Sequence, residues 1–458
     1  MPRDLPAVLL QDAFAYLRVP EVARCRTVCA RWNQAVEQPH TALWRVLEWN
    51  MVLAPFLPAF FAQRLQNLCE RAETVSADAP PLPRLKQLKW RSTIEEEHVS
   101  ELFLKSLASR FPKLETLHLG ELLVDNLAVM GKVLQRLPCL KSLSFKVEMS
   151  AYSESYESTL VRARESVPLL LPSCLRSLSL EISKDYGDNF MQVLTDPTYH
   201  ANAEKVERLF RNAFLDVLLR CVARDLSELR ELDLHLAVVD PSAFAHCWSL
   251  CLKPVPAFAR TLHRLRLDLS WSPAPWTHQA LEAFEQACLS LEALQELQYG
   301  SLDRAGGRRF GCKPNDALVQ ALQRALFPRL RKLTLDWGCD WEAVSLEPAL
   351  WSQYRLEHLC ICLLNTADTH CQVQYLERLK VLEIKQDWHG ENASWSQHRL
   401  IRHLEFLAPA STLVLHGASF KFDVRQCVRR FKEGRPDKKR QRVELRECSQ
   451  LLQLNEDC

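Results

Sequence analysis

The chain has 458 residues, 47% of them hydrophobic and 25% charged, a balance that excludes a disordered polymer. Its 58 basic and 56 acidic residues leave a formal charge of only +2. No global field for a phosphate backbone exists, so no nucleic-acid partner is expected. Seventeen cysteines follow no regular framework, and the opening Met1-Pro2-Arg3-Asp4-Leu5-Pro6 has no continuous apolar signal core. Both point to an intracellular protein, cytoplasmic and/or nuclear, with reduced thiols. The longest apolar stretch, near Met51 to Ala62, is broken by Pro55 and Pro58. A membrane span needs roughly 20 apolar residues, so none is expected.

In chain order, residues 4 to 47 read as three short helices. Asp4 is placed to cap the first and Pro6 suits its first turn. Leu10, Phe14 and Leu17 then recur at helical spacing until Pro20. The second helix carries Val22, Arg26, Cys29 and Ala30 and ends at Arg31-Trp32; the third carries Leu43, Trp44 and Leu47. A module of about forty residues cannot bury all of Leu5, Pro6, Leu9, Phe14, Val28, Cys29 and Trp32 by itself, so the surplus implies a partner surface.

Leu5-Pro6, Leu9-Leu10, Phe14, Tyr16-Leu17, Val22, Val28-Cys29, Arg31-Trp32 and Leu43-Trp44-Arg45 follow one another in the order and spacing of the F-box. This segment resembles that family. Ala7 and Ala13 depart from its pattern, standing where a Glu and a larger aliphatic are usual. The resemblance implies that Leu5, Pro6, Leu9, Leu10, Phe14, Leu17, Val22, Val28, Cys29 and Trp32 bind the Skp adaptor of an SCF-type ubiquitin ligase, and through it a cullin and a RING subunit. It implies a substrate-recognition subunit and not an enzyme. The alternative is a non-degradative F-box scaffold.

From residue 85 onward the phrase Leu-x-x-Leu-x-apolar recurs at intervals of mostly roughly 23 to 36 residues. It runs from Leu85-Leu88-Trp90 through Leu114-Leu117-Leu119 and Leu229-Leu232-Leu234 to Leu379-Leu382-Ile384, with a degenerate copy at Leu413 and Leu415. Apolar helical stripes such as Ala280, Leu281, Phe284, Ala287, Cys288 and Ala317, Leu318, Ala321, Leu322 lie between the phrases. The fold class is therefore α/β: a small N-terminal three-helix F-box, then a curved leucine-rich-repeat solenoid with a parallel sheet on its concave side. Each unit buries its apolar face by stacking on its neighbours. The expected domains are 1–50, the F-box; 51–84, a linker and repeat cap; 85–423, the repeats; and 424–458, a C-terminal cap and basic tail. The long gap at 183–225 is either an insertion or a cryptic repeat.

Alternation along each phrase puts leucines inward and positions three, five and seven outward. The outward map starts with Gln87, Lys89 and Arg91 and continues with Thr116, His118, Ser142, Ser144, Ser177 and Ser179. Glu231, Asp233 and His235 then form an acidic strand, followed by Arg264, Arg266 and Asp268. Trp271 and Trp276 in one loop, and Trp337 and Trp341 in another, are expected to be exposed. Trp and Arg are frequent binding anchors. The target-binding candidates are accordingly Glu231, Asp233, His235, Arg264, Arg266, Trp271, Trp276, Trp337 and Trp341.

No HExxH, GxSxG, Walker or EF-hand pattern occurs, and no catalytic residue or cofactor is expected. His358, Cys360 and Cys362 alternate on one strand, and Cys247 and Cys251 lie near His246, but neither set has the paired-turn spacing of zinc. Exposed thiols are the reading at Cys360 and Cys362, and no metal is expected. The run Lys438-Lys439-Arg440 with Arg442 is read as a solvated edge, with a nuclear import signal as the alternative.

Overall fold

The computed structural model describes residues 46–50, 86–91, 104–105, 107–108, 111–123, 127–148, 171–183, 215–239, 241–253, 255–271, 276–300, 316–335, 353–363, 376, 378–386, 394–416, 419–420, 422–446 and 449–450. The chain divides into two compact units, Met1–His235 with Pro256–Phe258, and Leu236–Val255 with Ala259–Cys458.

The first unit is a parallel ladder: β1 (Val46–Asn50), β2 (Gln87–Arg91), β3 (Thr116–Leu123), β4 (Ser142–Glu148) and β5 (Ser177–Ser183). Glu231–His235, the start of β6 (Glu231–Val239), lies beside β5. Sequence order and spatial order coincide. The register sets Leu47 against Leu88, Leu88 against Leu117, Leu117 against Leu143 and Leu143 against Leu178. Leu88, Leu117, Leu143 and Leu178 are all fully buried. Helix α1 (Leu127–Leu134) connects β3 to β4, and residues 215–225 are helical ahead of β6.

Strands β3, β4 and β5 start in the same way. A short turn closes from the amide of the phrase's first leucine to a carbonyl three residues back, as Leu114 to Phe111, Leu140 to Leu137 and Leu175 to Pro172. The next two amides then donate to one carbonyl of the preceding repeat. Glu115 and Thr116 share Lys86 O, Lys141 and Ser142 share Glu115 O, Arg176 and Ser177 share Lys141 O, and Arg230 and Glu231 share Arg176 O. Backbone polar groups at the turn are thereby satisfied between repeats.

The same device runs through the second unit. Gln295 and Glu296 share His263 O, Arg331 and Lys332 share Gln295 O, Glu357 and His358 share Arg331 O, and Lys380 and Val381 share Glu357 O. The strands are β7 (Arg264–Trp271), β8 (Glu296–Gly300), β9 (Lys332–Leu335), β10 (His358–Leu363), β11 (Val381–Gln386), β13 (Thr412–His416) and β15 (Arg442–Arg446). They lie in that order, and each pairs in parallel with the next. A second sheet joins three two-residue strands, β12 (Ser394–Trp395), β14 (Ser419–Phe420) and β16 (Ser449–Gln450). Strands this short carry no alternation for the sequence to reveal.

Helices α2 (Pro241–Cys251), α3 (His278–Leu289), α4 (Asp316–Ala325), α5 (Gln397–Phe406) and α6 (Val424–Gly434) alternate with these strands. Phe244 and Trp248 of α2 stack at 5.8 Å, and Phe284 of α3 lies 5.9 Å and 6.4 Å from them. Arg324 of α4 forks onto Glu285 of α3, and Arg329 donates to the carbonyls of Leu289 and Leu291 at 3.1 Å, closing the end of α3.

Two expectations change. Leu47 lies in a strand and not a helix: Val46 to Asn50 pair with Gln87 to Arg91, so the ladder starts inside the segment read as F-box. Strands β5 and β6 are direct neighbours in the sheet, and residues 184–214 lie outside the described residues. Residues 424–458 hold more than a cap and tail, since α6 and β15 form a further helix–strand repeat paired to β13.

The two faces of one strand should respond differently. Leu143→Ala should cost about 2–5 kcal/mol for the lost packing and the cavity, whereas Ser144→Ala on the outward face should stay within about 0.5 kcal/mol. Urea unfolding followed by circular dichroism measures both; equal losses would contradict the assigned faces.

Candidate interaction surfaces

The outward residues of the first unit carry few large groups. Ser142 lies beside Ser177, Ser144 beside Ser179 and Lys146 beside Glu181 in register. Charge concentrates where the strands begin. Glu115 sits between Lys86 at 2.5 Å and Lys141 at 2.9 Å, and these two ammonium groups hold its carboxyl down to about 2. Arg176 and Glu228 continue the row at 3.5 Å, and the Ser177 hydroxyl donates to Glu231. Of the acidic-strand candidates, Glu231 is exposed, while Asp233 and His235 are half-buried.

In the second unit, Arg264 and Arg266 are half-buried. Arg266 donates through Nε and Nη2 to one oxygen of Asp268, at 2.9 Å and 2.6 Å, and Asp268 is almost fully buried. This guanidinium is therefore a partner for a buried carboxylate before it is an anchor for a target. Arg264 pairs in register with Glu296, and Glu296 with Lys332, giving alternating signs along the strand starts.

A cluster absent from the sequence reading lies further along this face. Glu383 of β11 takes His358 of β10 on one side, with Nε2 3.1 Å from Oε2, and His416 of β13 on the other, with Nε2 2.5 Å from Oε1. The hydrogen bond from His358 is the main cause that holds the Glu383 carboxyl down to about 2, with the charge of His416 adding to it. His358, Glu383 and His416 occupy the third, fifth and seventh positions of successive phrases, so parallel register sets them on a diagonal. Aligning the phrases by strand would have revealed this; reading each phrase alone did not.

Other candidates sort differently. Trp276, expected to be exposed, is buried and packs edge-on against Phe284 at 5.9 Å. The reason is its position: it immediately precedes Thr277, whose hydroxyl caps α3 by accepting from Ala280 N, and an apolar residue there folds back onto the helix. Cys360, expected as an exposed thiol, is buried. Cys247 and Cys251 are buried on α2 while His246 is exposed, so that trio does not converge. Burial pushes the thiols of Cys251 and Cys288 up to about 12, leaving no thiolate at neutral pH. Among the described residues, no group of three or more His, Cys, Asp or Glu is placed to hold a metal, and no helix is long and apolar enough to cross a membrane.

The basic run is partly structural. Lys438 Nζ donates to Glu405 O at 3.2 Å and to Leu407 O, and Gln441 Nε2 donates to the carbonyls of Leu404 and Leu407 at 2.9 Å and Ala408 at 3.1 Å. Together they close the C-terminus of α5, where a cation is favoured. Lys439 and Arg440 remain exposed.

Trp337, Trp341, the side chain of Trp271 and every adaptor-binding candidate from Leu5 to Trp32 lie outside the described residues. Residues 3–47 match the F-box-like family. The match takes in the Leu5-Pro6 start, the Val28-Cys29 and Trp32 positions and the Leu43-Trp44-Arg45 close, and its last two residues, Val46 and Leu47, are the first two of β1. The F-box-like domain thus runs directly into the ladder. No curated protein matches the chain.

The Glu383 cluster has a pH signature. A carboxylate held below its ordinary value of 4.5 stabilises the fold in full above that value and loses the contribution as pH falls towards about 2. Glu383→Gln should therefore be less stable than wild type near neutral and mildly acidic pH, with the gap closing as pH drops towards 2. Denaturation midpoints over a pH series measure this; a gap that does not change with pH would contradict it.

Proposed function

We propose that this protein is the substrate-recognition subunit of an SCF-type ubiquitin ligase, docking on a Skp-type adaptor through its F-box-like domain and holding a target protein on its repeats. The observation that carries the reading is the F-box-like match over residues 3–47 followed at once by a strand ladder whose outward side chains differ from repeat to repeat. The ladder is read as a leucine-rich-repeat solenoid that curves with its sheet on the concave side. Leucine at the inward positions, a strand-to-helix alternation and stacking only on sequence neighbours support that reading.

In such an assembly the chain performs no bond chemistry. It raises the local concentration of a target near a ubiquitin-charged enzyme and fixes its orientation. The protein would act in the cytoplasm and/or nucleus, where the adaptor and cullin reside. For target capture, Arg264 and Glu231 are better placed than Arg266, whose guanidinium is committed to Asp268. The polar middle of the first unit provides a smooth floor beside the charged row around Glu115.

Replacing both Leu5 and Pro6 by Ala should weaken adaptor capture at least several-fold, since interface anchors contribute about 1–4 kcal/mol each. Co-purification of tagged chain with adaptor and cullin, alongside a circular dichroism check, measures it. A folded double variant that retains full capture would overturn the reading, and wild type that brings down adaptor but never cullin would mark a non-degradative scaffold.

A further inference from the structure

The last repeat is incomplete in one respect. Its inward strand residues, Val443 and Leu445, are only half-buried, whereas their register partners Leu413 and Leu415 on β13 are fully buried. Val428 on α6 is half-buried as well. Between α6 and β15 these residues floor a groove of about 770 Å³. Beyond β15 no further strand is paired among the described residues. Terminal repeats of stacked arrays need such a face covered.

The rim of the groove says what would cover it. Arg425, Arg429, Lys432, Lys439 and Arg442 line it against two acids, Glu433 and Glu444. An adjoining depression of about 590 Å³ adds Arg440 to Lys432, Lys439 and Arg442, with no acid among the described residues that line it. The matching ligand has alternating apolar groups for the floor and carboxylates for the rim.

The chain supplies that pattern itself. After β16 the sequence reads Leu451-Leu452-Gln453-Leu454-Asn455-Glu456-Asp457-Cys458. Ser449 and Gln450 are held on β14 through Ser419 and Phe420, so the segment starts six residues after Leu445, one wall of the groove. Eight residues reach about 26 Å when extended. A tether this short gives a local concentration in the millimolar range, enough to favour even a weak contact.

We propose that the groove between α6 and β15 is a docking site for an apolar–acidic segment, filled in cis by residues 451–458. Leu451, Leu452 and Leu454 cover Val428, Val443 and Leu445, and Glu456 and Asp457 meet the basic rim around Arg429, Lys432 and Lys439. Any outside ligand of the same character must displace the tail to enter.

Hydrogen–deuterium exchange on the full chain tests this. Amides of Arg442–Arg446 should exchange slowly in wild type and at least tenfold faster when Leu451, Leu452 and Leu454 are all changed to Asp. Arg429→Glu should also speed exchange, and adding Glu456→Arg with Asp457→Arg should restore protection, which a merely destabilised α6 would not do. A short thiol-to-amine crosslinker should join Cys458 to Lys432 or Lys439. Exchange unaffected by the tail changes overturns the proposal. So does protection that fades on dilution, which would assign the groove to a second copy.

Discussion

At most of the described repeat junctions two consecutive amides converge on one carbonyl of the repeat before, as Glu115 and Thr116 do on Lys86 O or Lys380 and Val381 on Glu357 O, while Thr412 and Arg442 each donate singly. That contact leaves no freedom of register. Once the shared carbonyl is fixed, the leucine after it must face its counterpart, Leu88 to Leu117 and Leu359 to Leu382. A slip of one residue would turn every leucine out and every serine or glutamate in. The buried leucines, the outward rows and the parallel pairing all follow from this one junction, repeated within each unit.

The junction also governs where charge accumulates. Side chains beside the shared carbonyls stand in a line, so Lys86, Glu115 and Lys141 meet although 29 and 26 residues separate them. On the outward face the same register assembles Glu383 between two imidazoles. Helices matter less to the face and more to closure. Gln441 and Lys438 tie the last turn back onto α5, which converts a basic stretch of sequence into a helix cap.

Much of this architecture could be read from the chain. Period-two alternation marked most of the repeat strands, because leucine at fixed offsets is both a burial and a register signal. The stripe of Ala280, Phe284, Ala287 and Cys288 marked the buried side of α3. What escaped depends on long-range geometry. His358 and Glu383 are 25 residues apart and meet only through strand pairing. Trp276 looked exposed among prolines, but its place before the Thr277 cap turns it onto Phe284. The adjacency of β5 and β6, whose sequences lie 48 residues apart from Ser183 to Glu231, could not be read from either phrase alone. Val46 to Asn50 sat beside a helical motif, and their pairing with Gln87 to Arg91 won over local helical spacing.

In the proposed function, the F-box-like domain at residues 3–47 would dock the adaptor and the repeats would hold the target. The most direct measurement captures ubiquitin-modified proteins from cells expressing the intact chain or a version lacking residues 3–44, which leaves β1 whole. The account predicts that proteins bound by both versions gain ubiquitin only with the intact chain. Equal modification with both versions, or bound proteins that never gain ubiquitin with either, would contradict it.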